Sequence, residues 1–177
     1  ARREISNPTD AVQLLGVGTV RSLALSMHAF SCFDQAKLRE FSFERLWNHC
    51  LMAGHFSRKI AESETQDRTL VDDSFIAGLL HDIGKLMLVA NMPQEYRTAI
   101  AMAHDKRIAE SEAEFAVFGA THADVGAYLL GLWGLPVPIV EAVALHHHPI
   151  RNINRKFCPL TAVHVANVIE HQSSGTE

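Results

Sequence analysis

Apolar residues recur at helical spacing through most of the chain, and this pattern limits the possible fold more than any other feature. One example is the set Leu46, Cys50, Ala53, Phe56 and Ile60, which would line a single face of a helix. No segment alternates apolar and polar residues over six positions, and neither Asn-Gly nor Asp-Gly occurs as a hairpin signal. We therefore predict an all-α fold, a compact bundle of several helices.

Turn and capping residues divide this pattern into separate helices. A short helix is predicted after Pro8, with a break at Gly16 and Gly18 before a second helix. The later helices are predicted to begin at Ser42 or Phe43, at Asp72 or Asp73, at Pro93, at Glu110, at His122, at Val137 and near Pro159. The helix that begins at Asp72 or Asp73 is predicted to continue through Leu88.

The length of 177 residues fits one domain with a real core. We assign residues 1–172 to a single helical domain and residues 173–177 to a disordered tail. Because the chain opens on Ala-Arg-Arg within a few residues of a helix start, we expect it to be a piece of a longer polypeptide.

Composition and charge exclude several classes of protein. The longest apolar runs, such as residues 75–80 and 137–140, are too short to span a bilayer. The three cysteines are scattered singly, which favours a reducing compartment over a disulfide framework. A formal charge of −4 gives nucleic acid no general attraction to the chain. We therefore expect a cytoplasmic protein that binds neither membrane nor nucleic acid.

An adjacent histidine and aspartate, His81 and Asp82, lie within the apolar segment Leu79 to Leu86. Burying a carboxylate is costly unless a partner compensates its lost hydration. A divalent metal ion is one such partner, since imidazole and carboxylate together suit iron, manganese or zinc. A buried hydrogen bond between the two side chains, without metal, is the alternative. Gly84 would let another helix approach closely, and Lys85 would share a helix face with Asp82.

Other histidines favour the metal interpretation. The chain contains 11 of them, and His49, His122 and the pair His146-His147 each lie at the edge of an apolar helix. A single histidine in such a place is usually a packing residue. Several of them from separate helices are expected to converge with Asp82 on one or two ions.

The motifs resemble those of the HD superfamily of metal-dependent phosphohydrolases, and most closely its HDOD (HD-related output domain) branch of bacterial signalling proteins. The similar stretches follow the family's order: residues 10–16 (Asp-Ala-Val-Gln-Leu-Leu-Gly), 46–49 (Leu-Trp-Asn-His), 78–84 (Gly-Leu-Leu-His-Asp-Ile-Gly), 121–126 (Thr-His-Ala-Asp-Val-Gly), 133–136 (Trp-Gly-Leu-Pro) and 146–149 (His-His-His-Pro). Each motif is weak alone, but the combination is specific. The resemblance implies a helical bundle of the HD-domain type, and it also implies a further helical segment upstream of residue 1 in the natural polypeptide.

The related HD-GYP phosphodiesterases imply a set of site residues. The metal ligands carried over are His49, His81, Asp82, His122, His146 and His147. Asn167 stands where the family has a final aspartate, and a neutral amide is the weaker ligand. The Gly-Tyr-Pro segment of those enzymes is absent after the paired histidines. Lys85, Arg151 and Arg155 are the candidates for holding phosphate.

Two classes of function follow from this resemblance. The first is a signalling output domain whose site binds one or two ions of iron, manganese or zinc, or none, and is catalytically degenerate. Its partners would be other signalling proteins, a receiver domain in the same polypeptide, or a second copy of the chain. The second is a metal-dependent phosphohydrolase acting on a nucleotide or cyclic dinucleotide, with Asp82 and Lys85 as catalytic residues. A diiron-type sensor of oxygen or redox state is a third alternative.

The remaining histidines are predicted to be surface or packing residues: His28, His55, His104, His148, His164 and His171. His164 and His171 are three and four residues from Asn167, so they would share its helix face.

Overall fold

The computed structural model describes residues 42–153 and 156–174, and these residues contain α-helices and one 3-10 helix but no strand. The elements are α1 (Phe43–Glu64), α2 (Arg68–Leu80), α3 (Ile83–Asn91), α4 (Pro93–Lys106), α5 (Glu110–Phe118), α6 (His122–Leu132), α7 (Val137–Leu145), the 3-10 helix Pro149–Arg151, and α8 (Pro159–Ser174). The all-α fold is thereby confirmed. The helices predicted after Pro8 lie outside the described residues.

Capping residues fix where the first helices begin. The Ser42 hydroxyl accepts a hydrogen bond from the Arg45 amide at 3.3 Å, so α1 begins where it was predicted. The Asp67 carboxylate accepts from the amides of Thr69 and Leu70, so α2 begins at Arg68, before the predicted start at Asp72 or Asp73. That prediction was wrong because the capping aspartate, Asp67, lies in a polar stretch, where no apolar periodicity marks the start of a helix.

The predicted helix through Leu88 is also wrong, because the chain turns at His81 and Asp82 between α2 and α3. The His81 ring donates from Nδ1 to the carbonyl of Gly78 at 2.7 Å. A side chain that bonds to a carbonyl three residues back competes with the helical ladder. Apolar periodicity continues across the turn, which is why the sequence did not reveal it.

The main core lies where α1, α2, α3, α6, α7 and α8 meet. Its largest fully buried side chains include Leu80, Ile83, Leu86, Leu130 and Ile139. Helix α1 packs against α2 and α8, α3 packs against α6, and α7 packs against α2, α6 and α8. The turn between α2 and α3 is therefore surrounded by helices from distant parts of the chain.

Gly84 allows α3 and α6 to touch through their backbones. A Cβ atom at this position would lie 1.9 Å from the carbonyl oxygen of His122 and 2.8 Å from the amide nitrogen of Gly126. This matches the expectation of a close helix approach at Gly84, and it brings the start of α6 next to Asp82.

The final helix continues through Ser174, beyond the boundary predicted at residue 172, and residues 175–177 lie outside the described part. Among the described helices, no single one has the length and apolar character needed to cross a membrane, although α5 and α6 would pass that test together as a pair bent by 75°.

Candidate metal centre

Asp82 is the centre of a cluster of imidazole rings and is only 2% exposed. Its Oδ1 atom lies 3.1 Å from His122 Nε2 and 3.7 Å from His146 Nε2. Its Oδ2 atom lies 3.6 Å from both His49 Nε2 and His81 Nε2. Each oxygen of the carboxylate therefore faces a different pair of rings.

Four separate parts of the fold supply these side chains. His49 comes from α1, His81 and Asp82 come from the turn that follows α2, His122 is the first residue of α6, and His146 and His147 follow α7. The structure thus brings together the histidines whose convergence the sequence suggested. That they ligate a metal stays a prediction.

The donor atoms form two groups that share Asp82. One group is Asp82, His122, His146 and His147, and the other is His49, His81 and Asp82; within each, the donor atoms lie within 4.8 Å of one another. The Nε2 atoms of His122 and His147 are 2.9 Å apart, and those of His49 and His81 are 3.0 Å apart. Two donors, each about 2.1 Å from one ion, are about 3 Å apart when they subtend a right angle there. These spacings fit ligands of a divalent ion.

In four of the five rings, the outer nitrogen, Nδ1, is hydrogen-bonded to an oxygen, and this bond orients the inner nitrogen, Nε2. His81 and His146 donate from Nδ1 to the carbonyls of Gly78 and Val143, at 2.7 and 2.8 Å. The Nδ1 atoms of His122 and His49 bond to the carboxylates of Glu114 and Glu170. Bonds of this kind place the proton on Nδ1 and leave the Nε2 lone pair for a metal.

Three buried side-chain polar atoms have no hydrogen-bond partner among the described residues, and two of them belong to candidate ligands. These two are His146 Nε2 and Asn167 Oδ1. A buried polar atom left unpaired costs about 1–3 kcal/mol. A cation would satisfy both kinds of atom, so the residues present fit a metal ion.

The electrostatics also suit a cation. Burial lowers the pKa of His81 to about 4 and of His147 to about 3, and it lowers the pKa of His146 well below its ordinary value. Burial alone would raise the pKa of Asp82, but Lys85, His81 and His122 outweigh it and lower the pKa well below its usual range. Neutral imidazoles around an ionised carboxylate are the protonation states that metal ligation requires.

His122 behaves differently from the other rings. Burial acts to lower its pKa, but Asp82 outweighs that effect, with help from a hydrogen bond to Glu114, and the pKa is raised. Its ring lies between two carboxylates, 3.1 Å from Asp82 and 2.6 Å from Glu114. This position is therefore the most favourable one in the cluster for a positive charge.

Lys85 lies beside Asp82, with Nζ 2.9 Å from Oδ2, and its ammonium also contacts Glu110 at 3.2 Å. Burial disfavours the charged form, but Asp82 and Glu110 outweigh it and raise the pKa. The ammonium predicted to hold phosphate is thus already paired with two carboxylates. Arg151 is exposed on the 3-10 helix, and Arg155 lies outside the described residues.

Sequence reasoning missed several residues of this site. Glu114 is fully buried and Glu170 contacts His49, yet neither was proposed. The ring of His171 lies 5.0 Å from that of His49, so its predicted role as a surface or packing residue leaves out a contact with the cluster. A usable signal existed only for Glu170, which is three residues from Asn167 on the last helix.

The other histidines lie mostly where they were expected. His55, His104 and His148 are exposed, and His28 lies outside the described residues. His164 is partly buried and donates to the carbonyl of His146 at 2.7 Å. It therefore supports the backbone that carries a candidate ligand.

Comparison with known proteins gives a match of residues 1–149 to the HDOD domain family model. An HDOD domain protein of unknown function from Geobacter sulfurreducens is 26% identical, with a TM-score of 0.76 over 96% of this chain and 56% of its own. A protein from Shewanella amazonensis SB2B, provisionally named a phosphohydrolase, is 22% identical, with a TM-score of 0.79 over 98% of this chain and 62% of its own.

The response regulator MmoQ from Methylococcus capsulatus str. Bath shares the fold at 22% identity, with a TM-score of 0.63 over 99% of this chain and 68% of its own. A curated relative from Treponema pallidum (strain Nichols), an uncharacterized protein, is 26% identical over 140 residues, which is 79% of this chain but 26% of that protein. The chain thus spans only part of the relatives it matches. Since the family model covers most of its length, the chain belongs to the HDOD family.

Proposed function

We propose that this chain is a signal-transduction output domain that binds one or two divalent transition-metal ions and relays a signal through protein contacts without hydrolysing a phosphodiester. Family membership and the fold shared with a response regulator support the signalling role. The proposed partners are other signalling proteins, a receiver domain in the same polypeptide, or a second copy of the chain.

The observation that carries the metal proposal is the buried Nε2 atom of His146. It has no hydrogen-bond partner among the described residues, and it lies 3.7 Å from the Asp82 carboxylate. With the proton of His146 on Nδ1, a lone pair faces a negative charge, which is unfavourable unless a cation lies between them. A bound ion would therefore remove the electrostatic cost of burying this lone pair beside the carboxylate, which packing alone does not remove.

The residues that would hold the metal are those of the two groups around Asp82, with Asn167 as a further candidate: His49, His81, Asp82, His122, His146 and His147. Imidazole and carboxylate donors suit iron, manganese or zinc. A divalent ion bound there would supply a Lewis acid and a position for water or a phosphate oxygen.

Two features support the proposal that the site does not turn over substrate. Asn167 offers a neutral amide where the related phosphodiesterases have a carboxylate, which leaves one negative charge fewer to hold an ion. Lys85 is paired with Asp82 and Glu110, so binding a substrate phosphate would require it to give up a carboxylate partner.

The second candidate is a metal-dependent phosphohydrolase. One observation favours it: two donor groups share a single carboxylate, as expected for a pair of ions that clamp a phosphoryl group. In that case Asp82 and the two groups of histidines would hold the ions, and Lys85 would stabilise the phosphate together with Arg151 or Arg155.

Metal analysis and turnover together distinguish these functions. The protein would be purified without chelator, and its iron, manganese and zinc would be measured beside Asp82→Ala and the exposed control Glu112→Ala. Hydrolysis of bis(p-nitrophenyl) phosphate and of a cyclic dinucleotide would be followed with each metal added.

We expect bound metal in the wild-type protein and in the control, little in Asp82→Ala, and no hydrolysis above background. Turnover that Asp82→Ala abolishes would instead establish the phosphohydrolase. Absence of bound metal from wild-type protein, even after reconstitution, would refute the metal site.

A further inference from the structure

We infer that Glu114 is a positioning residue for the metal centre: its carboxylate fixes the orientation and tautomer of the His122 ring and thereby sets the affinity for the ion. This inference rests on the metal site proposed above. Nothing in the sequence pattern singles out Glu114, since it belongs to the acidic helix α5, whose other acids lie on the surface.

A single carboxylate oxygen of Glu114 holds His122 at two points. Oε2 accepts from the backbone amide at 2.8 Å and from ring Nδ1 at 2.6 Å. The Glu114 side chain is fully buried and that of His122 is 1% exposed, so water does not compete for these bonds. Backbone and ring are therefore held together, and the ring has little freedom to rotate.

The capping residues at the start of α6 do not accept a hydrogen bond from the backbone amide of His122, so this amide is available to Glu114. The hydroxyl of Thr121 accepts from the amide of Asp124, and the Asp124 carboxylate accepts from the amide of Thr121. This capping box satisfies two amides of the first turn but not that of His122. Glu114 supplies the missing acceptor from another helix.

The held ring directs Nε2 toward the cluster. With the proton on Nδ1, Nε2 lies 3.1 Å from Asp82 Oδ1 and 2.9 Å from His147 Nε2. A carboxylate behind a ligating histidine increases the basicity of the ligand nitrogen, and loss of such a partner typically lowers metal affinity by about 10–100-fold.

A purely structural acceptor would not need a charge here. An amide oxygen would satisfy the same two N–H groups, and a neutral amide costs less to bury than a carboxylate whose second oxygen, Oε1, has no hydrogen-bond partner among the described residues. A cation bound on the far side of the ring would offset that cost.

The test compares two variants with a matched control. Glu114→Gln keeps an oxygen acceptor but removes the charge, and Glu114→Met removes both while keeping the length of the side chain. Glu112→Gln changes an exposed acid in the same helix. Affinity for manganese and zinc would be measured by equilibrium dialysis, and the free energy of unfolding would be measured without metal.

We expect Glu114→Gln to lower metal affinity by about 10–100-fold, Glu114→Met to lower it further, and Glu112→Gln to leave it unchanged. As a second readout, the ring ¹⁵N shifts of His122 would be measured in metal-free protein at a series of pH values. In the wild type they should report a proton on Nδ1 throughout, whether or not Nε2 is also protonated, and in Glu114→Met they should report a mixture of tautomers once the ring is neutral. If Glu114→Met does not fold, the metal affinity of Glu114→Gln alone tests the proposed role of Glu114.

Two contrary results are distinguishable. If wild-type protein binds metal but Glu114→Gln binds it with unchanged affinity, Glu114 has only a structural role and the proposed metal site stands. If wild-type protein binds neither metal, both the site and the role of Glu114 are refuted.

Discussion

The two sides of Asp82 differ in how they are enclosed. On the Oδ1 side, the side chains of His122 and its partner Glu114 are 1% and 0% exposed. On the Oδ2 side, those of His49 and its partner Glu170 are 12% and 13% exposed. Both sides use an imidazole supported by a carboxylate, but only one excludes water. We therefore expect the buried side to contribute more to the affinity for an ion, and the open side to be where ligands exchange with solvent.

The largest expected effect is a loss of stability, caused by a substitution that disrupts the backbone contact between α3 and α6 on the Oδ1 side. Gly84→Ala would place a methyl group 1.9 Å from the His122 carbonyl oxygen, and backbone atoms there have no room to move aside. We expect the free energy of unfolding to fall by about 3 kcal/mol or more. Chemical denaturation of metal-free protein would measure it.

Gly131→Ala is the control for that change, because a Cβ atom there would meet nothing within 4 Å. In a helix this substitution should stabilise the protein, by up to about 1 kcal/mol. A similar, small effect of both substitutions would show that α3 and α6 are not in the close contact described.

The next effect is a loss of metal affinity, which compares the two sides directly when one candidate ligand is removed from each. His122→Ala should lower metal affinity by at least about 100-fold, and His49→Ala should lower it less, because water can replace a ligand at the open side. Isothermal titration with manganese or zinc would measure both, and His104→Ala, at an exposed position on α4, would serve as the control. Equal losses at the two positions would contradict the difference between the sides.

A smaller loss of metal affinity is expected at Glu170, the carboxylate on the more exposed side. Glu170→Gln removes the charge behind His49 but leaves an acceptor for its Nδ1 hydrogen. Because solvent already screens this pair, we expect metal affinity to fall by about tenfold or less, below the loss in Glu114→Gln. A loss larger than that of Glu114→Gln would reverse our ranking of the two sides.

The smallest effect is a pH dependence of the free energy of unfolding that arises outside the cluster, at Asp73. Any comparison of the two sides at different pH values has to be corrected for it. Burial, with the nearby charges of Asp72 and Asp67, raises the pKa of Asp73 from 3.8 to about 6. The folded protein therefore holds this proton more tightly than the unfolded chain does. Its stabilising contribution is fully present below pH 3.8 and is lost as the pH rises through about 6.

Asp73→Asn removes this titration. At pH 7 the variant should be more stable than the wild type by about 1 kcal/mol, a figure reduced for the partial exposure of the carboxyl. Below pH 4 the difference should vanish. Denaturation at a series of pH values would measure it, and an unchanged profile would show that Asp73 titrates normally.

The sequence predicted the helices well where apolar spacing agreed with a capping residue, as at Ser42, or with a proline in the first turn, as at Pro93 and Val137. It failed at His81 and Asp82, because apolar residues continue at helical spacing across the turn and the competing bond from the His81 ring to Gly78 leaves no mark in that pattern. Periodicity reports which face is buried, not whether the backbone is continuous.

The site was predictable to the extent that its residues belong to motifs. The candidate histidines and Asp82 stand in motifs that resemble those of a known family. Glu114 and Glu170 do not, and they meet their histidines across 8 and 121 positions of the chain. Such contacts are created by how helices pack, so a partner of this kind is visible only once the fold is known.

Because His81 and Asp82 form the two-residue joint between α2 and α3, the torsion angles of these residues set the relative direction of the two helix axes. A shift of the carboxylate that the backbone of Asp82 followed would therefore turn α3, and the contact of Gly84 with α6 would pass that rotation to the next helix. Displacements of less than an ångström at one side chain would thereby become rotations of whole helices, which is the scale of motion that another protein can detect.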